Sequence, residues 1–97
     1  MVQTVVSRTI LAGDKTILLE KPLVLYRIFF SIRALSDQST WYQSRISFDD
    51  PLFHSYYVID GPAKYFEAKG EGIFQGNVWV LNASDQNLQY VSTEILV

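Results

Sequence analysis

Residues 23–35, LVLYRIFFSIRAL, place an apolar side chain at every second position: Val24, Tyr26, Ile28, Phe30, Ile32 and Ala34. The alternate row, Leu25, Arg27, Phe29, Ser31 and Arg33, is mixed. A period of two is the signature of a strand with one face buried and the other partly in water. A helix would set Arg27 and Arg33 on nearly the same stripes as Phe30 and Ile32, so charge placement rules it out. The pattern predicts a central strand over 23–35, with the row from Val24 to Ala34 turned into a core.

The same reading predicts strands on either side. Residues 4–11 alternate loosely and end at the turn Ala12-Gly13-Asp14-Lys15; residues 16–20 form a short apolar run stopped by Lys21-Pro22. After a polar loop over 36–39, residues 40–48 set Tyr42, Ser44, Ile46 and Phe48 against Trp41, Gln43, Arg45 and Ser47. Asp49-Asp50-Pro51 initiates a turn. A strand is predicted over 53–59, closed by Asp60-Gly61-Pro62. Residues 63–68 fit either a strand or a helical turn begun by Pro62. Residues 73–82 predict a long strand with Phe74, Gly76, Val78 and Val80 on one face, and Ile73, Gln75, Asn77, Trp79 and Leu81 on the other. The last strand covers 88–97. It is apolar and carries little charge, so it should lie inside a sheet or under a partner rather than at a bare edge.

Seven or eight short strands with turn signals between them predict one all-β domain over residues 1–97, an antiparallel β-sandwich or jelly-roll-like barrel. Composition agrees: Val, Ile, Thr and aromatic residues are plentiful, and Met occurs once. At 97 residues and 48% hydrophobic content, the chain can bury one core; with no cysteine, no disulfide assists it. Eight Lys and Arg against ten Asp and Glu give a net charge of −2, and the basic residues are scattered singly, which disfavours nucleic acid. No apolar run approaches membrane-spanning length, and the first residues do not form a secretory signal pattern.

Candidate chemistry is sparse. His54 is the one histidine, and no serine stands in a nucleophile-elbow pattern that would use it with Asp50 or Asp60. One His and no Cys cannot build a His/Cys zinc site. Asp49 and Asp50 are adjacent, lack EF-hand spacing, and are read as turn residues before Pro51. Gly70-Glu71-Gly72 lacks the Gly-Lys-Ser/Thr ending of a phosphate loop, and Gly76 reads as a bulge or close backbone approach. Asn82-Ala83-Ser84 matches a glycosylation sequon by chance. No catalytic residue, metal site or cofactor is predicted.

The outward rows carry more. Leu25, Phe29, Trp41, Trp79 and Leu81 stand among polar neighbours. They fit the rim of a core, a protein–protein surface, since Trp and Tyr are enriched at interface centres, or a sugar-stacking platform built on Trp41 and Trp79.

A sandwich without catalytic residues, carried by VLYRIFFSIRAL, GIFQGNVWVLNAS and YVSTEILV, resembles the small decoration or cement proteins that coat tailed-phage capsids. The resemblance implies a non-enzymatic virion protein, assembled in a host cytoplasm. It implies a homo-oligomer, a trimer being favoured, that binds capsid or other virion proteins, with no cofactor, nucleic acid or membrane partner. The rival expectation is a carbohydrate- or receptor-binding module.

Overall fold

The computed structural model describes residues 1–35, 42–60 and 65–97. Among these residues there are eight strands: β1 (Val2–Ile10), β2 (Lys15–Leu19), β3 (Arg27–Leu35), β4 (Gln43–Phe48), β5 (Tyr57–Asp60), β6 (Tyr65–Lys69), β7 (Val78–Asn82) and β8 (Leu88–Leu96). They form two four-stranded antiparallel sheets, ordered β1-β8-β3-β6 and β2-β7-β4-β5. First pairs with last, second with seventh, third with sixth and fourth with fifth. The chain is thus one long hairpin rolled over itself, which is the jelly-roll winding.

Each sheet turns one row inward. Phe30, Ile32, Ala34, Leu88 and Tyr90 from the first sheet meet Tyr42, Ile46, Ile59, Val78 and Val80 from the second, and all are buried. Phe30 and Phe48 extend this core into an aromatic end: Phe48 stacks on Phe74 at 4.4 Å, and Phe66 lies 5.7 Å from Phe30. Ser44 and Tyr90 share a 2.6 Å hydrogen bond inside it. Burial pushes the Tyr90 hydroxyl up to about 12, the bond to Ser44 only partly opposing it. Strand β8 lies between β1 and β3, so the last strand is interior, as its low charge leads one to expect.

The central strand departs from its pattern. It starts at Arg27, and Val24, Tyr26 and Ile28 are exposed rather than buried. Arg27 pairs with Leu96 while Phe29 pairs with Ile95, so Ile28 is an extra residue in a bulge. That bulge resets the alternation, and Arg27 and Phe30 both face inward.

Two other expected strands are shorter. Residues 53–56 lead into β5 as a loop, with Phe53 at φ 53°. Residues 73–77 approach β7 as a loop too, because Gln75 and Asn77 spend their side chains on other backbone: Gln75 Nε2 donates to the Arg27 carbonyl at 2.6 Å, and Asn77 Oδ1 accepts from Lys21 N at 2.7 Å. Residues 65–69 are a strand, not a helical turn. The expected loop over 36–39 lies outside the described residues.

Candidate binding surface

One end of the sandwich is built by residues 20–26, residues 70–77 and the last residue of the chain. Arg27 locks it. Its side chain is fully buried, with Nε donating to Glu94 Oε2 at 2.7 Å. One terminal nitrogen donates to the carbonyls of Phe74 and Gly76, at 2.8 and 2.9 Å, and the other to Glu20 at 3.0 Å. The guanidinium also lies 5.4 Å from the Phe30 ring. A buried charge is tolerable when an opposite charge and aligned acceptors replace its water. Here those acceptors are backbone groups of two different loops, so one side chain fixes both. Gly76 is required beside it: a Cβ there would run into the Asp49 carboxylate and the Phe74 ring.

On this frame sits an apolar loop. Residues 23–26 are Leu, Val, Leu and Tyr; Leu23 is 96% exposed, Val24 89% and Tyr26 69%. The loop is tethered on both sides. Lys21 N donates to the Asn77 side chain, and Tyr26 exchanges two 2.8 Å backbone bonds with Val97. Its apolar side chains therefore stay in water although its backbone is anchored. Beside it, Tyr26, Ile28, Ile73 and the glycine pair Gly70 and Gly72 line a mostly apolar groove of about 390 Å³. Gly70 N donates to the Ile28 carbonyl, closing the groove's floor against β3.

No family model, no curated protein and no solved structure matches the chain.

Of the five residues expected at an interface, the four that are described do not share one surface. Leu25 is exposed in the apolar loop. Phe29 is half-buried on the outer face of the first sheet, opposite Lys69 and Ile95. Trp79 and Leu81 are half-buried on the outer face of the second sheet. Trp41 lies outside the described residues. Trp79 is also less available than its pattern suggests. It stands between Ile17 and Ser47, and residues 50–53 cross that face from one neighbouring strand to the other. Lys15 Nζ donates to the Pro51 carbonyl and lies 6.0 Å from the Phe53 ring, while Ser47 Oγ donates to the Asp50 carbonyl at 2.8 Å.

The polar motifs resolve into structure. Asp50 accepts from the N–H groups of Leu52 and His54 at 3.0 and 2.8 Å and so caps the turn, whereas Asp49 Oδ1 accepts from Asn77 N and ties the end of β4 to the loop before β7. Desolvation raises the Asp50 carboxyl, but these N–H donors and the His54 ring outweigh it and hold it below the usual range. His54 Nδ1 lies 3.1 Å from Asp50 with its side chain 75% exposed, outside any of the grooves described here. Among the described residues, no three His, Cys, Asp or Glu side chains gather as a metal site, and no helix is long and apolar enough to cross a membrane. Asn82 of the sequon is fully buried, its amide donating to the carbonyls of Ile10 and Gln86, so the folded chain offers no glycosylation site there.

The residues that sequence reasoning missed are Leu23, Val24 and Tyr26. For Val24 and Tyr26 the alternation reads as core, and Leu23 falls on the mixed row beside them. Only the buried Arg27 and the bulge at Ile28 tell them apart from the row that follows.

Proposed function

We propose that this chain is a non-enzymatic adhesive domain of a virion, seated on a capsid or other virion protein through the apolar loop at residues 23–26. The observation that carries the reading is that four consecutive apolar residues are held in water on an anchored backbone. Soluble domains seldom keep such a run exposed unless a partner covers it. Binding through it needs no chemistry: many copies straddling subunit joints stabilise a shell by mass action. The jelly roll is a fold of viral capsid and lectin domains, which fits the reading by analogy alone.

The test is to purify virus particles on a density gradient from cultures of the source, then quantify this protein by mass spectrometry against the major capsid protein. A fixed stoichiometry in particles, lost when Leu23 and Val24 are changed to Ser, is expected. Its absence from particles would overturn the virion reading.

A second reading has its own observation. On the outer face of the first sheet, Arg33, Tyr65, Glu67 and Thr93 line a shallow groove of about 290 Å³, with Tyr65 exposed. An aromatic ring flanked by charged hydrogen-bonding groups suits a sugar. It stands on the sheet opposite to Trp79. Binding on a glycan array that Tyr65→Ala abolishes would favour this module over the structural one.

A further inference from the structure

The four sheet edges are not alike. Strand β5 has four residues and ends in Asp60. Strand β6 has five, including Glu67 and Lys69. Strand β2 has five, begins at Lys15 and is broken by a register shift between Ile17 and Leu19. Short length, charge and bulges are the devices that keep an edge from pairing with another chain. Strand β1 has only one of them, the single charge of Arg8, whose guanidinium donates to the Ile17 carbonyl of β2 at 3.3 Å. It runs nine residues, VQTVVSRTI, in unbroken register with β8, with no proline, no acidic residue and one charge, Arg8. It is exposed on both faces until Ile10, with Val2, Val5 and Val6 each about half exposed, because the short β2 reaches little of its length.

We infer that β1 is an interface with a second copy of this chain, paired antiparallel across a two-fold axis at Val6, so that two four-stranded sheets join into one of eight. The occupant follows from symmetry and register. A two-fold axis perpendicular to the sheet keeps inner faces on the same side only if paired residue numbers sum to an even number. Among such registers, the one summing to 12 pairs all nine residues: Val6 meets itself, Val5 meets Ser7, Thr4 meets Arg8, Gln3 meets Thr9 and Val2 meets Ile10. It uses the free backbone groups of both edges in about eight new hydrogen bonds.

Charge agrees with this register. The two Arg8 residues are offset by four positions, about 13 Å along the strands, beyond the screening length of about 8 Å in physiological salt. Each Arg8 comes opposite the small, neutral Thr4 of the other copy, so no like charge faces it across the seam. The β6 edge is a poorer partner for β1: it places Glu67 and Lys69 on the outer face, where β1 carries no charge to meet them. The contact closes at two copies, in place of the trimer that the resemblance implies. It uses a different surface from the apolar loop and stands or falls apart from it.

Sedimentation of the purified chain tests the assembly, and cysteine scanning tests the register. The expected result is a dimer, from which Val6→Lys, placing two ammonium groups on the axis, raises the dissociation constant about tenfold or more. Val58→Lys on the β5 edge, and the paired change of Leu23 and Val24 to Ser, should leave the dimer intact. Because the chain has no cysteine, single substitutions report cleanly. Residues facing each other on the axis have Cβ atoms about 5 Å apart, close enough to oxidise into a disulfide with slight relaxation. Val6→Cys should therefore cross-link in high yield, and Thr4→Cys and Arg8→Cys poorly. A monomeric wild type, a dimer indifferent to Val6→Lys, a dimer lost in the Leu23/Val24 variant, or cross-linking strongest at Thr4 or Arg8 would each overturn the inference. Thermal melts of every variant separate lost pairing from lost folding.

Discussion

Residues 23–26 and residues 30–34 are built from the same kinds of side chain and end in opposite environments. Phe30, Ile32 and Ala34 are the middle of the core, whereas Leu23, Val24 and Tyr26 stand in water. Hydrophobicity does not separate them. The separation is made by Arg27, which spends its guanidinium on Glu94 and on the carbonyls of Glu20, Phe74 and Gly76, and by the extra residue Ile28 behind it. A charge placed inside the sandwich marks where the core ends. The bulge then lets the strand enter the core on the correct face. The lesson is that burial of an apolar row is decided by the polar groups that close its end, as well as by its own pattern.

The sharpest way to break this boundary is Arg27→Met. Methionine fits the volume but leaves Glu94 and three carbonyls without their donor. Breaking a buried pair in this way costs about 3–5 kcal/mol, and chemical denaturation should show a loss of that size. Arg27→Met combined with Glu94→Met removes the orphaned charge but not the orphaned carbonyls, so only part of the stability should return. Full recovery would mean that the loop carbonyls contribute nothing.

A smaller effect probes the buried side of the boundary. Tyr90 lies opposite Ala34 in the sheet and is held neutral, its hydroxyl pushed up to about 12 from the ordinary 10. The folded chain therefore keeps a proton that the unfolded chain gives up as pH rises above 10. This contribution is complete below pH 10 and is lost progressively between 10 and 12. Stability measured across that window should fall with pH, and Tyr90→Phe should flatten the fall while lowering stability at neutral pH by about 1 kcal/mol for the bond to Ser44. An unchanged slope in the variant would remove Tyr90 as its source.

Much of the sandwich is legible from residue order because period-two alternation and turn chemistry are local. Tyr42, Ser44 and Ile46 face inward as their spacing requires, Asp50 caps the turn at Pro51, and β8, with Glu94 its one charge, is interior. What is not legible depends on partners far along the chain. Gly76 and Gln75 look like strand residues until Asp49 and Arg27 are brought against them. Trp79 looks outward until residues 50–53 cross above it, held by Lys15 and Ser47. Val24 and Tyr26 look buried because nothing in their own neighbourhood reveals that Arg27 turns inward and shifts the register. The exposed edge of β1 is hidden for a related reason. Its sequence is an ordinary strand, and its exposure comes from the shortness of β2.

The smallest expected effect on folding is also the one that most sharpens the comparison. Changing Leu23 and Val24 together to Ser removes apolar surface that is already almost wholly in water, so stability should move by no more than about 0.5 kcal/mol. The tethers that hold the loop run through the backbone of Lys21 and Tyr26 and through Asn77, none of which the substitutions touch. A paired measurement is decisive: a thermal melt superimposable on wild type, together with reduced partitioning onto an apolar resin. If the melt instead falls by several degrees, these side chains contribute to the core after all, and the boundary drawn at Arg27 is in the wrong place. If melt and partitioning are both unchanged, the loop is not the chain's adhesive surface. Only a loss of stickiness without a loss of stability keeps residues 23–26 on the far side of the boundary from Phe30, Ile32 and Ala34.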